Sequence, residues 1–225
     1  MLAQRIGKVA VLLWFTLLFV GCSSFVPDRS VTALTYTGPT EVYLVAGQTL
    51  QPTDIIFVGT QDRRGQFVIN DMKATRQLGD SLDWDGEPLP GVRLSLRLRV
   101  IWFRGNGVHL AGTVHIDVHD PQPSSKGFHK GAPVQYKMPV TYHIPRGGTI
   151  PGTTLVYVGP TERGAELSGL EEYPFRKIAD SILWEGRLRP EVGLSLNLRV
   201  IYFDERAMQV AGIATITLEG EGVGT

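Results

Sequence analysis

The chain has 225 residues, of which 43% are hydrophobic, with 22 basic and 22 acidic side chains and one cysteine. The balanced charge excludes recruitment to nucleic acid or to anionic lipid by bulk electrostatics. A single cysteine excludes an internal disulfide, so the stability of the fold must come from apolar cores.

The first segment is a targeting signal. Arg5 and Lys8 precede an apolar run from Val9 to Val20, and Gly21 and Cys22 follow it. A helix of about a dozen residues spans about 18 Å, whereas the apolar core of a bilayer is about 30 Å thick. The pattern therefore predicts a secretory signal rather than a permanent membrane-spanning helix.

The end of this signal resembles the lipobox of bacterial lipoproteins. Small Gly21 lies beside the only cysteine, although Phe19 stands where leucine is usual in that family. The resemblance implies that Cys22 becomes the lipid-modified mature N-terminus and anchors the protein in the cell membrane or outer membrane, on the extracytoplasmic side. An ordinary cleaved signal and an uncleaved anchor are the alternatives.

The rest of the chain contains one unit twice. At a constant offset of 100 residues and without gaps, 24 of the 80 positions aligned between 41–120 and 141–220 are identical. Such a repeat implies duplication of one folding unit, joined by a short linker that leaves the orientation of the copies variable. The predicted parts are the signal 1–22, a tether 23–32, copy 1 at 33–120, a linker 121–133, copy 2 at 134–220 and a tail 221–225.

Within each copy the apolar residues alternate with period 2, which indicates β-strands. Leu194, Leu196 and Leu198 share one face, and Ile201 then makes the other face apolar too, which predicts a strand end covered on both sides. Asn106-Gly107 predicts a hairpin turn. We therefore predict an all-β chain of two tandem Ig-like β-sandwiches, with a small β-barrel as the alternative fold for each copy.

Aromatic residues recur at equivalent positions of the two copies. Trp84 matches Trp184, and Trp102 matches Tyr202. Exposed aromatic rings bind glycans, but rings beside aliphatic residues in both copies are more typical of a core, and we predict a core location for these four.

Two aromatic residues of copy 2, Tyr173 and Phe175, have no aromatic counterpart in copy 1. Because they are not repeated, they are better candidates for an exposed contact. We predict that Tyr173 and Phe175 contact a protein or glycan of the cell envelope.

Few charged residues are identical in the two copies. Asp80 and Arg99 recur as Asp180 and Arg199. Solvated charges are free to differ between duplicated halves, so identical ones suggest structural partners. We predict that Asp80 pairs with Arg99, and Asp180 with Arg199, through the bidentate guanidinium group.

The sequence contains two patterns that suggest catalysis. The motif at 79–82 resembles the signature of GDSL esterases, in which Ser81 would be the nucleophile, but the α/β context and the Asp-x-x-His of that family are missing. His115, Asp117 and His119 alternate on one strand and could chelate a metal, but copy 2 has ordinary solvent-face residues there. We expect Ser81 to start a strand, and we expect no catalytic residue, metal site or cofactor.

These observations favour a membrane-anchored, non-catalytic binding or structural module, with a protein or glycan of the envelope as its partner and no nucleic acid. The alternative is a hydrolase or metal-dependent enzyme that uses residues present in one copy only.

Overall fold

The computed structural model of the protein describes residues 32–128 and 134–219, and Cys22 lies outside these ranges. The described residues form 14 strands and no helix, so no helix among them could span a membrane. In copy 1 the strands are β1 (Ala33–Val45), β2 (Ile56–Gln61), β3 (Arg64–Ile69), β4 (Met72–Arg76), β5 (Ser81–Leu89), β6 (Val92–Arg104) and β7 (Gly107–His119). In copy 2 they are β8 (Val134–Pro145), β9 (Val156–Thr161), β10 (Gly164–Ser168), β11 (Phe175–Arg176), β12 (Ser181–Arg189), β13 (Val192–Phe203) and β14 (Ala207–Leu218).

Each copy contains a four-stranded and a three-stranded antiparallel sheet. The strand orders are β1-β7-β6-β5 with β2-β3-β4 in copy 1, and β8-β14-β13-β12 with β9-β10-β11 in copy 2. All four sheets are open, and in the described ranges no sheet combines strands from the two copies. The prediction of an all-β chain of tandem sandwiches is confirmed.

The core lies between the sheets of each copy and follows the alternation of the sequence. Leu94, Leu96 and Leu98 of β6 are buried, while the residues between them face outward. From the small sheet, Phe57 and Phe67 pack with ring centroids 5.2 Å apart. Full burial contributes about 1.5 to 3 kcal/mol for each such side chain, so these inward rows dominate the stability of the fold.

A β-bulge interrupts the alternation at the same place in both copies. The pairing of β6 with β7 passes from Val100 to Trp102, and that of β13 with β14 from Val200 to Tyr202. The extra residue makes two successive side chains point outward. The exposed fractions are 42% for Ile101, 46% for Trp102, 49% for Ile201 and 52% for Tyr202. The predictions that this strand end is covered on both sides and that Trp102 and Tyr202 belong to the core are wrong.

One glycine in each copy permits an unusually close approach of two strands. Gly112 of β7 lies opposite Leu98, and a Cβ atom at Gly112 would lie 1.9 Å from the carbonyl oxygen of Arg97. At Gly212 the corresponding distance to the carbonyl oxygen of Asn197 would be 2.0 Å. Any side chain here would collide with the backbone of the neighbouring strand.

The two copies contact each other through the inward faces of β1 and β8. Gly38 lies against Met138, where a Cβ atom on Gly38 would be 2.6 Å from the Met138 Cγ atom. Positions 38 and 138 are equivalent in the repeat, so the copies meet as the halves of a two-fold symmetric dimer do. A further contact joins the Arg189 guanidinium to the carbonyl oxygen of His119, at 2.7 Å. The copies therefore hold one another by more than the linker.

Two tyrosines with buried hydroxyl groups, Tyr36 of copy 1 and the partly buried Tyr142 of copy 2, lie side by side in this contact. Their hydroxyl groups influence each other's ionisation, although neither has a hydrogen-bond partner of ordinary geometry among the described residues. Burial raises the pKa of both groups, that of Tyr142 to about 12, because an ionised ring would lose its hydration there.

We expect alkaline pH to weaken this contact. Since the pKa values of Tyr36 and Tyr142 are higher in the folded protein than the ordinary value of about 10, their stabilisation is complete below about pH 10 and is lost as the pH rises through the folded values. Tyrosinate absorbance and small-angle scattering across this range should show ionisation together with expansion of the molecule. A Tyr142→Phe variant should lose less stability above pH 10, and an equal loss in the variant would contradict the assignment.

Candidate interaction surfaces

Three rings of copy 1 form a row on the outer face of the large sheet. Tyr43 of β1 lies opposite His109 of β7, which lies opposite Trp102 of β6. The rings of Trp102 and His109 stack with centroids 3.9 Å apart and planes 27° apart. Tyr43 and Trp102 are about half exposed, so this aromatic row presents flat apolar surface to solvent from regular strands. Such rows of cross-strand neighbours stabilise a sheet and can stack on a ligand.

The polar surroundings of the aromatic row are asymmetric. The Nε2 atom of His109 lies 3.4 Å from a carboxylate oxygen of exposed Glu41. The Nδ1 atom of His109 is buried and has no hydrogen-bond partner in the described part of the chain. The Tyr43 hydroxyl donates to the carbonyl oxygen of Arg104 at 3.3 Å. The row therefore combines stacking surface with one carboxylate at its rim.

Copy 2 keeps only part of this arrangement. Its corresponding positions hold His143, Gln209 and Tyr202, and the Tyr202 hydroxyl donates to an Asp204 carboxylate oxygen at 3.2 Å. Because Gln209 supplies no ring and His143 and Tyr202 carry smaller rings than Tyr43 and Trp102, the stacking surface is most developed in copy 1.

The other repeated tryptophans have different environments. Trp184 is buried, as predicted. Trp84 is partly buried against the core, and its indole N–H donates to an Asp54 carboxylate oxygen at 2.9 Å.

Tyr173 and Phe175 form a separate patch in copy 2. Tyr173 is 57% exposed, and the two rings meet edge to face with centroids 5.3 Å apart. The Arg163 guanidinium lies 4.6 Å from the centre of the Phe175 ring, and Arg176 donates to the Tyr173 carbonyl oxygen. These contacts hold the patch in place, and its role as a partner contact stays a prediction.

The repeated aspartate and arginine share a turn but do not pair with each other. The Asp80 carboxylate accepts a hydrogen bond from the backbone N–H of Gln77 at 2.7 Å, and Arg99 donates to the carbonyl oxygen of Gly79 at 2.9 Å. Asp180 and Arg199 repeat these contacts with Lys177 and Ala179, at 2.7 and 2.9 Å. The predicted direct pairs are wrong, because each charge is satisfied by the backbone of the turn that leads into Ser81 or Ser181.

We expect Asp180→Ala to lower the free energy of unfolding by about 1 kcal/mol, since the Lys177 N–H loses its acceptor. Asp180→Asn keeps an acceptor oxygen and should cost much less. Urea melts of both variants distinguish a hydrogen bond of Asp180 with the Lys177 N–H from an ion pair of Asp180 with Arg199. If Asp180→Asn lowered the free energy of unfolding as much as Asp180→Ala, the negative charge itself would stabilise the fold, as an ion pair between Asp180 and Arg199 would require.

His115 and Asp117 of β7 form hydrogen bonds with residues of the neighbouring strand β1. The Thr35 hydroxyl donates to Asp117 at 2.6 Å, and the Thr37 hydroxyl lies 2.7 Å from Nδ1 of His115. The hydrogen bond from Thr35 is the main reason why the pKa of Asp117 lies below its usual range. Within the described ranges no group of three or more metal-binding side chains is assembled, and His119 does not complete one.

The linker forms an added strand on the edge of copy 2. Its residues 122–124, here called the linker strand, run antiparallel to β12. Ser124 and Arg187 exchange both backbone hydrogen bonds, at 2.9 and 3.0 Å, and the Gln122 N–H donates to the Leu188 carbonyl oxygen at 2.8 Å. The Arg187 side chain also donates to the carbonyl oxygen of Gly127 at 2.9 Å. This edge therefore binds an extended peptide segment, which no pattern in the sequence predicts.

Two glycines of copy 2 leave room for the linker. A Cβ atom on Gly186 would lie 2.2 Å from the Ser124 carbonyl oxygen, and one on Gly193 would lie 2.4 Å from the Phe128 ring. Both glycines therefore leave room for the segment that crosses them. No family model, no curated protein and no solved structure matches the chain. What these surfaces can bind therefore has to be inferred from their geometry alone.

Proposed function

We propose that the protein is a lipid-anchored, non-catalytic binding or structural module on the extracytoplasmic side of a bacterial envelope membrane. The exposed aromatic row of Tyr43, His109 and Trp102 carries the proposal. Rings held on strands lose little conformational entropy on binding, and large amphipathic rings are enriched in contacts with proteins and glycans. The expected partner is a protein or glycan of the envelope.

The arrangement of polar groups favours binding over catalysis. A catalytic acid or base must reach the substrate with a free polar atom. The best one-copy candidates, His115 and Asp117, are engaged by Thr37, by Thr35 and by each other, with 3.3 Å between the His115 Nε2 atom and an Asp117 carboxylate oxygen. Ser81 lies at the start of β5, where its carbonyl oxygen accepts from Arg76, and this turn recurs in copy 2. Repetition suits a structural turn better than a nucleophile that acts once.

A photocrosslinking amino acid in place of Trp102 tests the binding function in intact cells. We expect a discrete adduct with an envelope protein or glycan from position 102. The control position is Met72, which is also well exposed but lies on the small sheet. Trp102→Ala should abolish co-purification of the same partner, whereas Met72→Ala should not. Equal adducts from both positions, or none from position 102, would contradict the role of the aromatic row.

The proposed anchor is tested at Cys22, which lies outside the described residues. We expect the mature N-terminal peptide to begin at Cys22 and to carry a diacylglyceryl group and a further acyl chain. One chain binds a membrane marginally, whereas several chains anchor a protein stably. When residues 1–22 are replaced by an ordinary cleavable signal, the protein should appear in the soluble envelope fraction. Retention of that variant in membranes would contradict lipid anchoring.

A further inference from the structure

The edge strand β5 of copy 1 is the counterpart of β12, which binds the linker strand. In β12 both backbone groups of Arg187 point away from the sheet and pair with Ser124. This orientation alternates along an antiparallel strand. Asp83 and Asp85 of β5, which precede the bulge of this strand between Gly86 and Leu89, therefore point their N–H and C=O groups out of the sheet in the same way. Among the described residues no segment pairs with this edge.

The two edges share their backbone geometry up to the bulge, which lies between Gly86 and Leu89 in β5 and between Arg187 and Arg189 in β12. Gly186, which leaves room for the linker strand, has its counterpart in Gly86. Leu188 contributes only its carbonyl oxygen to the linker strand, so Pro88, which lacks an N–H, can do the same. The backbone of β5 is therefore open to strand addition at Asp83 and Asp85.

The side chains of the two edges differ, and they select different ligands. Outward positions of β5 carry Asp83, Asp85 and Glu87, whereas β12 carries Leu183, Glu185 and Arg187 at these positions. Arg187 binds the linker segment, and copy 1 has an acidic residue in its place. A segment that fits the edge of β5 must therefore differ in charge from the linker.

Two of the three acidic groups on β5 are open to a basic partner. Asp85 is paired with Arg97 at 2.8 Å. Asp83 lies opposite Arg97 on β6 but forms no ion pair in the described part of the chain, and Glu87 accepts a hydrogen bond from the Gly91 N–H at 2.6 Å; both carboxylates are exposed. Residues opposite each other on paired strands bring their side chains within about 5.5 Å on the same face. Basic residues at alternate positions of an added strand would thus lie beside these carboxylates.

The same charges disfavour pairing of β5 with β5 of a second molecule. Antiparallel pairing centred on Asp85 would place Asp85 beside its own copy and Asp83 beside Glu87. Like charges directly opposite each other destabilise a strand pair, and charged edges protect proteins against self-association. A second copy of this chain is therefore a poor occupant.

We propose that the free edge of β5 binds an extended peptide segment with lysine or arginine at alternate positions, which adds to the sheet as an antiparallel strand. The backbone hydrogen bonds supply affinity, and the acidic side chains supply selectivity. This site is distinct from the aromatic row, and it does not depend on the lipid anchor.

Synthetic peptides test the proposal on the full-length protein in detergent micelles. The probe is a blocked heptapeptide in which threonine and lysine alternate, and the control has the same composition with its lysines adjacent. We expect the alternating peptide to bind at least about tenfold more tightly, since only it can place its charges on one face of a strand. Its binding should slow hydrogen exchange at the amides of Asp83 and Asp85.

Methylation of peptide amides separates strand addition from charge attraction. Alternate amides of the bound peptide face β5, so N-methylation of one alternate set should abolish binding and methylation of the other set should not. The variant Asp83→Asn with Glu87→Gln should weaken binding about tenfold, while Glu162→Gln in copy 2, a distant exposed acid, should leave it unchanged.

Three results would overturn the proposal. Equal binding of the two N-methylated peptides would show that no strand is added. Absence of binding would mean that Asp83 and Glu87 only protect the edge. Protection of these two β5 amides without peptide, lost when residues 23–31 are replaced by a glycine-serine segment, would show that the chain fills this edge itself.

Discussion

Replacement of Gly212 by alanine is expected to unfold the sheet of β13 and β14, at a cost of about 3 kcal/mol or more. A Cβ atom at this position would lie 2.0 Å from the backbone oxygen of Asn197, and a backbone atom cannot move aside as a flexible side chain can. The two strands would have to separate and lose their hydrogen bonds. Hydrogen exchange measured by mass spectrometry should show lost protection in β13 and β14.

Gly127→Ala is the matched control, because nothing lies within 4 Å of a Cβ atom at that position. It should leave stability nearly unchanged. Gly112→Ala should act in the same way on β6 and β7 of copy 1. If Gly212→Ala melted like the parent protein, the close approach of β13 and β14 would be wrong.

Met138→Glu is expected to separate the two copies. Met138 is fully buried where β8 meets β1, and an ionised carboxylate there would cost several kcal/mol. Since Met138 contacts Gly38 of the other copy, we expect the contact to open while the sheets persist. Small-angle scattering should show a larger radius of gyration, and exchange protection should fall on β1 and β8.

Lys137→Glu is the control for this variant, because Lys137 is the next residue on β8 and faces solvent. It should leave the scattering curve unchanged. Acidification should close the Met138→Glu protein again, since a protonated carboxyl group is much less costly to bury. Loss of protection throughout β12, β13 and β14 would instead show that Met138 belongs to the core of copy 2 alone and not to the contact between the copies.

The alternation of leucines and the offset of 100 residues were sufficient to predict the strands and the tandem arrangement. A pattern of period 2 reports which face is buried but not what buries it. The inward residues of β1 look the same in sequence whether a sheet of the same copy or the other copy covers them. The contact of Gly38 with Met138 could therefore not be predicted.

The bulge escaped prediction because its surroundings are uniformly apolar. Residues 100–103 contain no polar position that would mark a change of phase. This apolar run predicts a core position for Trp102, and no sequence motif connects it with Tyr43 and His109. Their outward direction could have been derived from the alternation of β1 and β7 on either side of them.

The prediction that Asp80 pairs with Arg99, and Asp180 with Arg199, is wrong for a local reason. An aspartate at a turn reaches the N–H group three residues before it more readily than a guanidinium on another strand. Identity in both copies correctly indicated that Asp80 and Arg99 have structural partners, but it carried no information on which partners. The acidic positions of β5 were visible in sequence, but their outward backbone groups became apparent only from the pairing of β12 with the linker.

The contact between positions 38 and 138 places a requirement on any ancestor with a single copy. In a symmetric dimer both sides of the axis carry the same residue, so two methionines would collide there and two glycines would leave a void. Fusion of the two copies into one polypeptide removes this restriction, because each side can then mutate alone. The pairing of glycine with methionine is thus an asymmetry that a homodimer cannot have, and it favours contact between the two halves over contact of each half with a copy of itself.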